Sequence, residues 1–357
     1  MYTILFIETF LYVCGNSAIL LNNIHSIYGK STFLHFSEGL VHIVYIDYLK
    51  LAASYENNCN VDNVTEAQIE SLLDRLAKNY DGYCFDEFYK KKVFSTWSVN
   101  KFFQSLVNNE FVYFDEYWYD NGGLPSILVN YLKTHELNIF EYLDKDKFLK
   151  VSCDDFKNPT ALTSMNQNVL MCQTGYLTLR SDLKKSSTVL LGIPNGEIYK
   201  ALNRLLANNI FKGKADVTDD QGKNLLDEGS VDDIIKLFNS ALNYVSYDNY
   251  PIVSESSVQN MLKLYLLGAY QEVLSEVHEA KGRADLVVNT DNRRIVFEFK
   301  YAKNETEAKA KLSEAVEQIK TRDYGNLLPK KNELLRIATV FNADPKVRAF
   351  TENQIVP

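Results

Sequence analysis

The sequence predicts an α/β protein, with a mostly helical N-terminal region followed by an α-β-β-β-α-β unit on a central mixed sheet. Three observations carry this. The segment 65–79, "TEAQIESLLDRLAKN", repeats its apolar residues at helical spacing. The stretch 282–300, "GRADLVVNTDNRRIVFEFK", repeats them at strand spacing on either side of a turn. From about residue 251 onward, helix and strand signals succeed one another regularly.

Taken in order, 65–79 opens with a capping-box-like Thr65/Gln68 pair and places Ile69, Leu72, Leu73 and Leu76 on one face, which predicts an amphipathic helix. Comparable patterns at 98–107, 125–133 and 196–209 predict further helices, and "GYLTLR" (175–180) predicts a short strand. Residues 212–230 are polar and turn-rich and read as a linker or loop between domains, with a connecting helix at about 231–245. A helix at about 254–267 carries Val258, Met261, Leu262 and Tyr265 on one face and stops at Gly268. Strands at about 270–279, 283–289 and 293–301 follow, the last two joined by the turn-rich "NTDN". Helix 305–321 sets Ala308, Leu312, Ala315, Val316 and Ile319 on its buried side, and "LRIATVFNA" (335–343) is a further strand. The expected domains are 1–211, then a linker and connecting helix over 212–250, then 251–357.

The 357-residue chain is 46% hydrophobic and 24% charged, ordinary values for a globular protein with room for more than one core. Its first 21 residues are apolar, but Glu8 interrupts the run, Asn16 follows it and no Lys or Arg precedes it. They therefore read as a buried strand or helix of a soluble domain, without a membrane partner. The five cysteines are widely spaced and include no CxxC pair, which excludes a disulfide framework and a cysteine zinc site and points to a reducing, cytoplasmic setting. The histidines show no HxxxH or HExxH spacing. Net charge is −8, unevenly spread: residues 1–251 hold 22 Lys/Arg against 31 Asp/Glu, whereas 252–357 hold 16 against 15. Neither part has the basic footprint of a protein that grips nucleic acid through phosphate neutralisation alone.

The chemistry lies in 282–300. Ile295, Phe297 and Phe299 share one face of the third strand, while Val296, Glu298 and Lys300 share the other, which begins apolar and ends charged. A hairpin brings Asp285 of the second strand beside Glu298 of the third, about 5 Å apart. Two carboxylates that close repel unless a cation joins them, and hard oxygen ligands with open positions suit Mg²⁺ or Mn²⁺. Lys300 lies on the same face as Glu298, where its ammonium could stabilise charge developing on a phosphate or help position an attacking water. The plain alternative is a solvated hairpin face with marginal surface pairs. The apolar opposite face and the place of the pattern within the α-β-β-β-α-β unit favour a site.

"GRADLVV", then "VFEFK" after a hairpin, then "SEAVEQIKTRDY" resemble the PD-(D/E)XK nuclease superfamily, which has the restriction-endonuclease-like fold. The resemblance implies Asp285 and Glu298 as metal ligands and Lys300 as the catalytic lysine. It also implies Glu255, in "SESSVQNML", as the acidic residue of the first helix that joins the catalytic and metal-binding set. Gln318 and Tyr324 resemble the Q-x(n)-Y element of the superfamily's helicase-associated branch, which makes Gln318 a catalytic candidate and Tyr324 a nucleic-acid contact. Ala284 stands where the family pattern has Pro. Upstream, "YDGYCF" (80–85), "YWYDNGGLPSIL" (117–128), "CQTGYLTL" (172–179), "LGIPNGEI" (191–198) and "LLDEGSVDDIIKLF" (225–238) are similar to bacterial proteins that join an AAA-ATPase-like region to such a nuclease.

"YGKS" (28–31) invites a phosphate-loop reading, but the position five residues before Gly29 is Ile24 and no other GxxxxGK[ST] occurs, so no ATP hydrolysis is expected. Residues 1–211 then read as a helical lid remnant of the ATPase that recognises a target or docks a partner or a second copy. Tyr117, Trp118 and Tyr119 are read as packing residues, and Lys90, Lys91 and Lys92 as a solvated face. Lys281 and Arg283 flank the site and could hold a phosphate backbone. The expected activity is Mg²⁺- or Mn²⁺-dependent endonucleolytic hydrolysis, of DNA in preference to RNA. The competing expectation is an inactive module that binds nucleic acid or protein and uses the nuclease fold as scaffold.

Overall fold

The computed structural model describes residues 38–120, 138–157, 164–183, 186–211, 220–269, 272–279, 282–325 and 333–357, with positions 128, 130, 131, 135 and 331 besides. The apolar first 21 residues, "YGKS", six of the nine residues of the helix expected over 125–133, and Lys281 lie outside the described residues. The chain divides into two compact units, Met1–Leu202 and Asn203–Pro357.

In the first unit, helices α1 (Glu38–Val44), α2 (Ile46–Asn57), α3 (Glu66–Tyr80) and α4 (Thr96–Asn109) pack around Leu49, Ala52, Leu72, Leu76, Tyr80, Val99 and Phe102. The sequence-predicted face of α3 is the buried one: Ile69, Leu72, Leu73 and Leu76 are all inside. The Gln68 side chain accepts the Thr65 backbone N–H at 2.8 Å, which closes the helix start. Strands β1 (Leu149–Ser152), β2 (Thr178–Leu179) and β3 (Thr188–Gly192) make a small antiparallel sheet in the order β1-β3-β2, so "GYLTLR" supplies only two residues of strand. A short helix α5 (Gln167–Gln173) lies between β1 and β2, and α6 (Gly196–Ile210), which runs on past Leu202 into the second unit, follows β3. At the start of α6 the buried Glu197 carboxylate accepts the Ser98 hydroxyl and the Trp118 backbone N–H, each at 2.7 Å. Trp118 is buried, as the packing reading expects.

The second unit contains helices α7 (Asp220–Glu228), α8 (Val231–Leu242), α9 (Glu255–Gly268) and α10 (Glu305–Arg322), and strands β4 (Glu272–Glu279), β5 (Gly282–Asn289), β6 (Arg293–Ala302), β7 (Glu333–Asn342) and β8 (Ala349–Ile355). The strands form one five-stranded sheet in sequence order. Only β6 and β7 run parallel, and α10 is the crossover between them that a parallel pair requires. The other neighbours are antiparallel, so the sheet is mixed and the fold is restriction-endonuclease-like, as expected.

Both faces of the sheet are covered. Val287, Val296 and Ala338 pack under Ala315, Val316 and Ile319 of α10. On the other face Phe297 meets Phe238 of α8, with ring centroids 5.4 Å apart, and Phe238 also touches Phe350 of β8 and Tyr265 of α9. A strand buried on both sides is expected to be apolar on both, and β6 is so over Ile295–Phe297, between the buried Arg293 and Arg294 at its start and Glu298 and Lys300 beyond.

Two elements depart from the sequence reading. Residues 220–228, taken as linker, form α7, whose Leu226 is fully buried and whose Asp227 carboxylate accepts the Asn292 backbone N–H at 2.9 Å and the hydroxyl of Thr290. The polar composition suggested a loop, but those polar groups tie α7 to the β5–β6 turn. Strand β8 was not foreseen. Its polar run Thr351–Gln354 carries no apolar alternation, and pairing with β7 at the sheet edge makes it a strand.

Phe238 is the hub of the second face, so Phe238→Ala is expected to lower stability by about 3–5 kcal/mol, read as a lower urea midpoint with an unchanged m-value.

Candidate active site

The hydrogen-bonded ladder between β5 and β6 runs from Asn289↔Arg294 to Leu286↔Phe297 and stops. One more step of the same register would set Asp285 opposite Glu298, as the hairpin argument requires. At that point side chains replace backbone pairing. The Asp285 carboxylate accepts the Phe299 N–H at 2.9 Å, and the Gln259 amide donates to the Asp285 carbonyl oxygen. Asp285 is therefore held at both its carbonyl and its carboxylate.

Glu298 is fully buried on β6, and Lys300, two residues on, is nearly so. The Lys300 Nζ lies 2.8 Å from Glu298 Oε1 and 3.3 Å from Glu255 Oε1 at the start of α9. Glu255 and Gln259 are one helical turn apart, hence on one side of α9, and that side reaches both Lys300 and Asp285. The solvated-hairpin alternative is excluded, since surface pairs do not sit at zero exposure.

Burial, and next the charge of Asp285, push the Glu298 carboxyl up to about 7, against the opposing pull of Lys300. Burial works to lower the Lys300 pKa, but its bond to Glu298 and the charges of Glu298, Glu255 and Asp285 outweigh it. The net direction is upward, so the ammonium persists at neutral pH. A buried pair of this kind is a poor stabiliser, because desolvation consumes most of the Coulombic gain. Its presence fits a site better than a structural strut.

Glu298 Oε2 is buried without a hydrogen-bond partner. An orphaned carboxylate oxygen on the strand beside Asp285, whose charge acts on the same carboxyl, is a donor set a hard cation would complete, so the residues fit Mg²⁺ or Mn²⁺. Among the described residues no three His, Cys, Asp or Glu side chains form a ready metal cage. In this structure Glu255 pairs with Lys300.

The remaining predicted residues divide. Gln318 lies on α10 with its Nε2 3.5 Å from the Tyr324 hydroxyl. Tyr324 is itself fully buried in the core under α10, which corrects its assignment as a nucleic-acid contact: its ring packs against the sheet and offers no face to a base. Arg283 is exposed on β5, two residues before Asp285. Gln259 was missed. The available signal was its position four residues after Glu255 on an amphipathic helix.

With this geometry in place, the sequence comparison is decisive for the second unit. Residues 253–351 match the PD-(D/E)XK nuclease superfamily. The chain carries a domain of that superfamily. The matched segment takes in α9, the five strands apart from the last residues of β8, and α10, and so contains Glu255, Asp285, Glu298 and Lys300. No curated protein matches the chain. Among the described residues no helix is long and apolar enough to cross a membrane.

The raised Glu298 carboxyl sets a pH dependence in chelator. Unfolded, it ionises near its ordinary 4.5; folded, it keeps its proton until about 7, so the folded state gains relative stability below that window and loses it as pH rises through it. Glu298→Gln removes this titration. Its stability relative to the parent protein is expected to improve by about 3 kcal/mol between those pH values and then level off, as measured by urea titrations across pH.

Proposed function

We propose that this protein is a metal-dependent endonuclease that hydrolyses phosphodiester bonds, of DNA in preference to RNA. The observation that carries the reading is the completed Asp285–Glu298–Lys300 set, with an unpartnered Glu298 oxygen at its centre, inside the matched domain. Completeness of the set favours catalysis over an inactive scaffold.

Asp285 and Glu298 would hold the ion, Mg²⁺ or Mn²⁺, which when bound neutralises phosphate charge and makes bound water more acidic. Gln259 and the Phe299 N–H fix Asp285, so its carboxylate needs little reorganisation to serve as a ligand. Lys300 stays protonated between Glu298 and Glu255 and presents its ammonium to the developing negative charge on the phosphate. Glu255 orients Lys300. Gln318 acts through the Tyr324 hydroxyl as a positioning residue.

The first unit supplies selectivity in this reading. With 17 Lys/Arg against 23 Asp/Glu in the first unit and 21 against 23 in the second, neither gains much from nonspecific phosphate attraction, so the helical unit is proposed to recognise a target or dock a partner. The resemblance of its motifs to bacterial proteins with an AAA-ATPase-like region is what suggests a recognition role.

Plasmid, single-stranded DNA and RNA cleavage in Mg²⁺ or Mn²⁺ tests the reading. Glu298→Gln and Lys300→Gln are expected to reduce the rate by at least about 100-fold while still unfolding cooperatively, and EDTA is expected to abolish cleavage. Cleavage that survives EDTA would sink the proposal. A fragment comprising Asn203–Pro357 is expected to retain metal-dependent cleavage but lose discrimination among substrates; equal site preference in fragment and full chain would reassign the first unit to stability or assembly.

A further inference from the structure

Arg322 closes the last turn of α10, in the "TRDY" that follows Gln318. Its Nη1 donates to the Tyr324 hydroxyl at 2.8 Å, and the Gln318 amide approaches the same oxygen. Because the Tyr324 ring is locked in the core, that hydroxyl is a fixed anchor for a partly exposed guanidinium. The stem of Arg322 crosses Gly282, the first residue of β5. A Cβ at position 282 would lie 2.5 Å from Arg322 Cδ and 3.2 Å from its Nε, so the glycine is what leaves the arginine its track. Gly282 is three residues before Asp285 on the same strand.

This places a cation at the edge of the carboxylate site. The Tyr324 bond first, and then the charges of Asp285 and Glu298, raise the Arg322 pKa, which puts the guanidinium within electrostatic reach of both carboxylates. Yet among the described residues Arg322 makes no ion pair with an acid, unlike Arg293 with Glu333, Arg336 with Asp323 and Lys300 with Glu298. One N–H of its five meets Tyr324. A planar fork with spare donors, held beside a site for an anionic substrate but not neutralised by it, matches a phosphate.

We propose that Arg322 binds a backbone phosphate of the nucleic-acid substrate, with Tyr324 and Gln318 as its positioning residues and Gly282 as the gap its stem requires. The proposal rests on the nuclease reading for the identity of the ligand. It also assigns the buried Tyr324 a role that burial allows: it holds the residue that touches nucleic acid.

The test is fluorescence anisotropy of a short labelled DNA duplex with the full chain in Ca²⁺ over a series of salt concentrations, alongside cleavage in Mg²⁺ or Mn²⁺. Arg322→Gln is expected to weaken binding about tenfold and to reduce the salt slope by about one. Arg322→Lys should keep the slope and recover part of the affinity, because it restores charge without the fork. Gly282→Ala, which displaces the guanidinium but keeps its charge, should weaken binding with the slope unchanged, and so covers the case in which the Arg322 variants fail to melt cooperatively. Duplex binding of parental affinity and slope in Arg322→Gln overturns the proposal, as does a parent protein that does not bind the duplex. Binding that depends on Arg322 without cleavage supports the phosphate contact while removing the nuclease reading, so the two fail separately.

Discussion

The second unit is organised around a carboxylate that folding leaves half satisfied. Glu298 sits at zero exposure with one oxygen on Lys300 and the other on nothing. An apolar pair of similar volume would stabilise β6 better, so the fold tolerates a charge it has no structural use for. Helix α9 supports that burden by placing Glu255 against the free side of Lys300 and Gln259 against the strand that carries Asp285. The site is thus the point where the sheet gives up regular pairing and side chains take over.

Sheet topology makes this possible. The parallel β6–β7 pair forces a crossover, and the crossover helix α10 covers the face that carries Val296, Glu298 and Lys300. The aromatic cluster of Phe238, Phe297, Phe299 and Phe350 closes the opposite face. Between two covered faces, Glu298 and Lys300 are desolvated by the same packing that stabilises the apolar middle of β6. That desolvation raises the Glu298 pKa and keeps a proton or a cation in demand there.

Much of this was legible in the residues. The α9 and α10 faces, the three strands around "NTDN" and the shared face of Glu298 and Lys300 all follow from periods of 3.6 and 2, which local sequence records directly. Helix α7 and strand β8 were not legible for a common reason: both are polar segments whose structure comes from partners far along the chain, the β5–β6 turn for Asp227 and β7 for β8. Tyr324 was misassigned because a motif gives a residue's identity but not the direction of its ring.

The sequence by itself determined which residues could carry the chemistry, since carboxylate, carboxylate and lysine at that spacing on a hairpin are fixed by strand alternation. Only the tertiary structure decided their state. Burial between two layers converted an ordinary surface triad into a coupled site, paired Glu255 with Lys300, and set Arg322 over Gly282. Desolvation and long-range contacts depend on what covers a strand, and no periodicity within the strand encodes that.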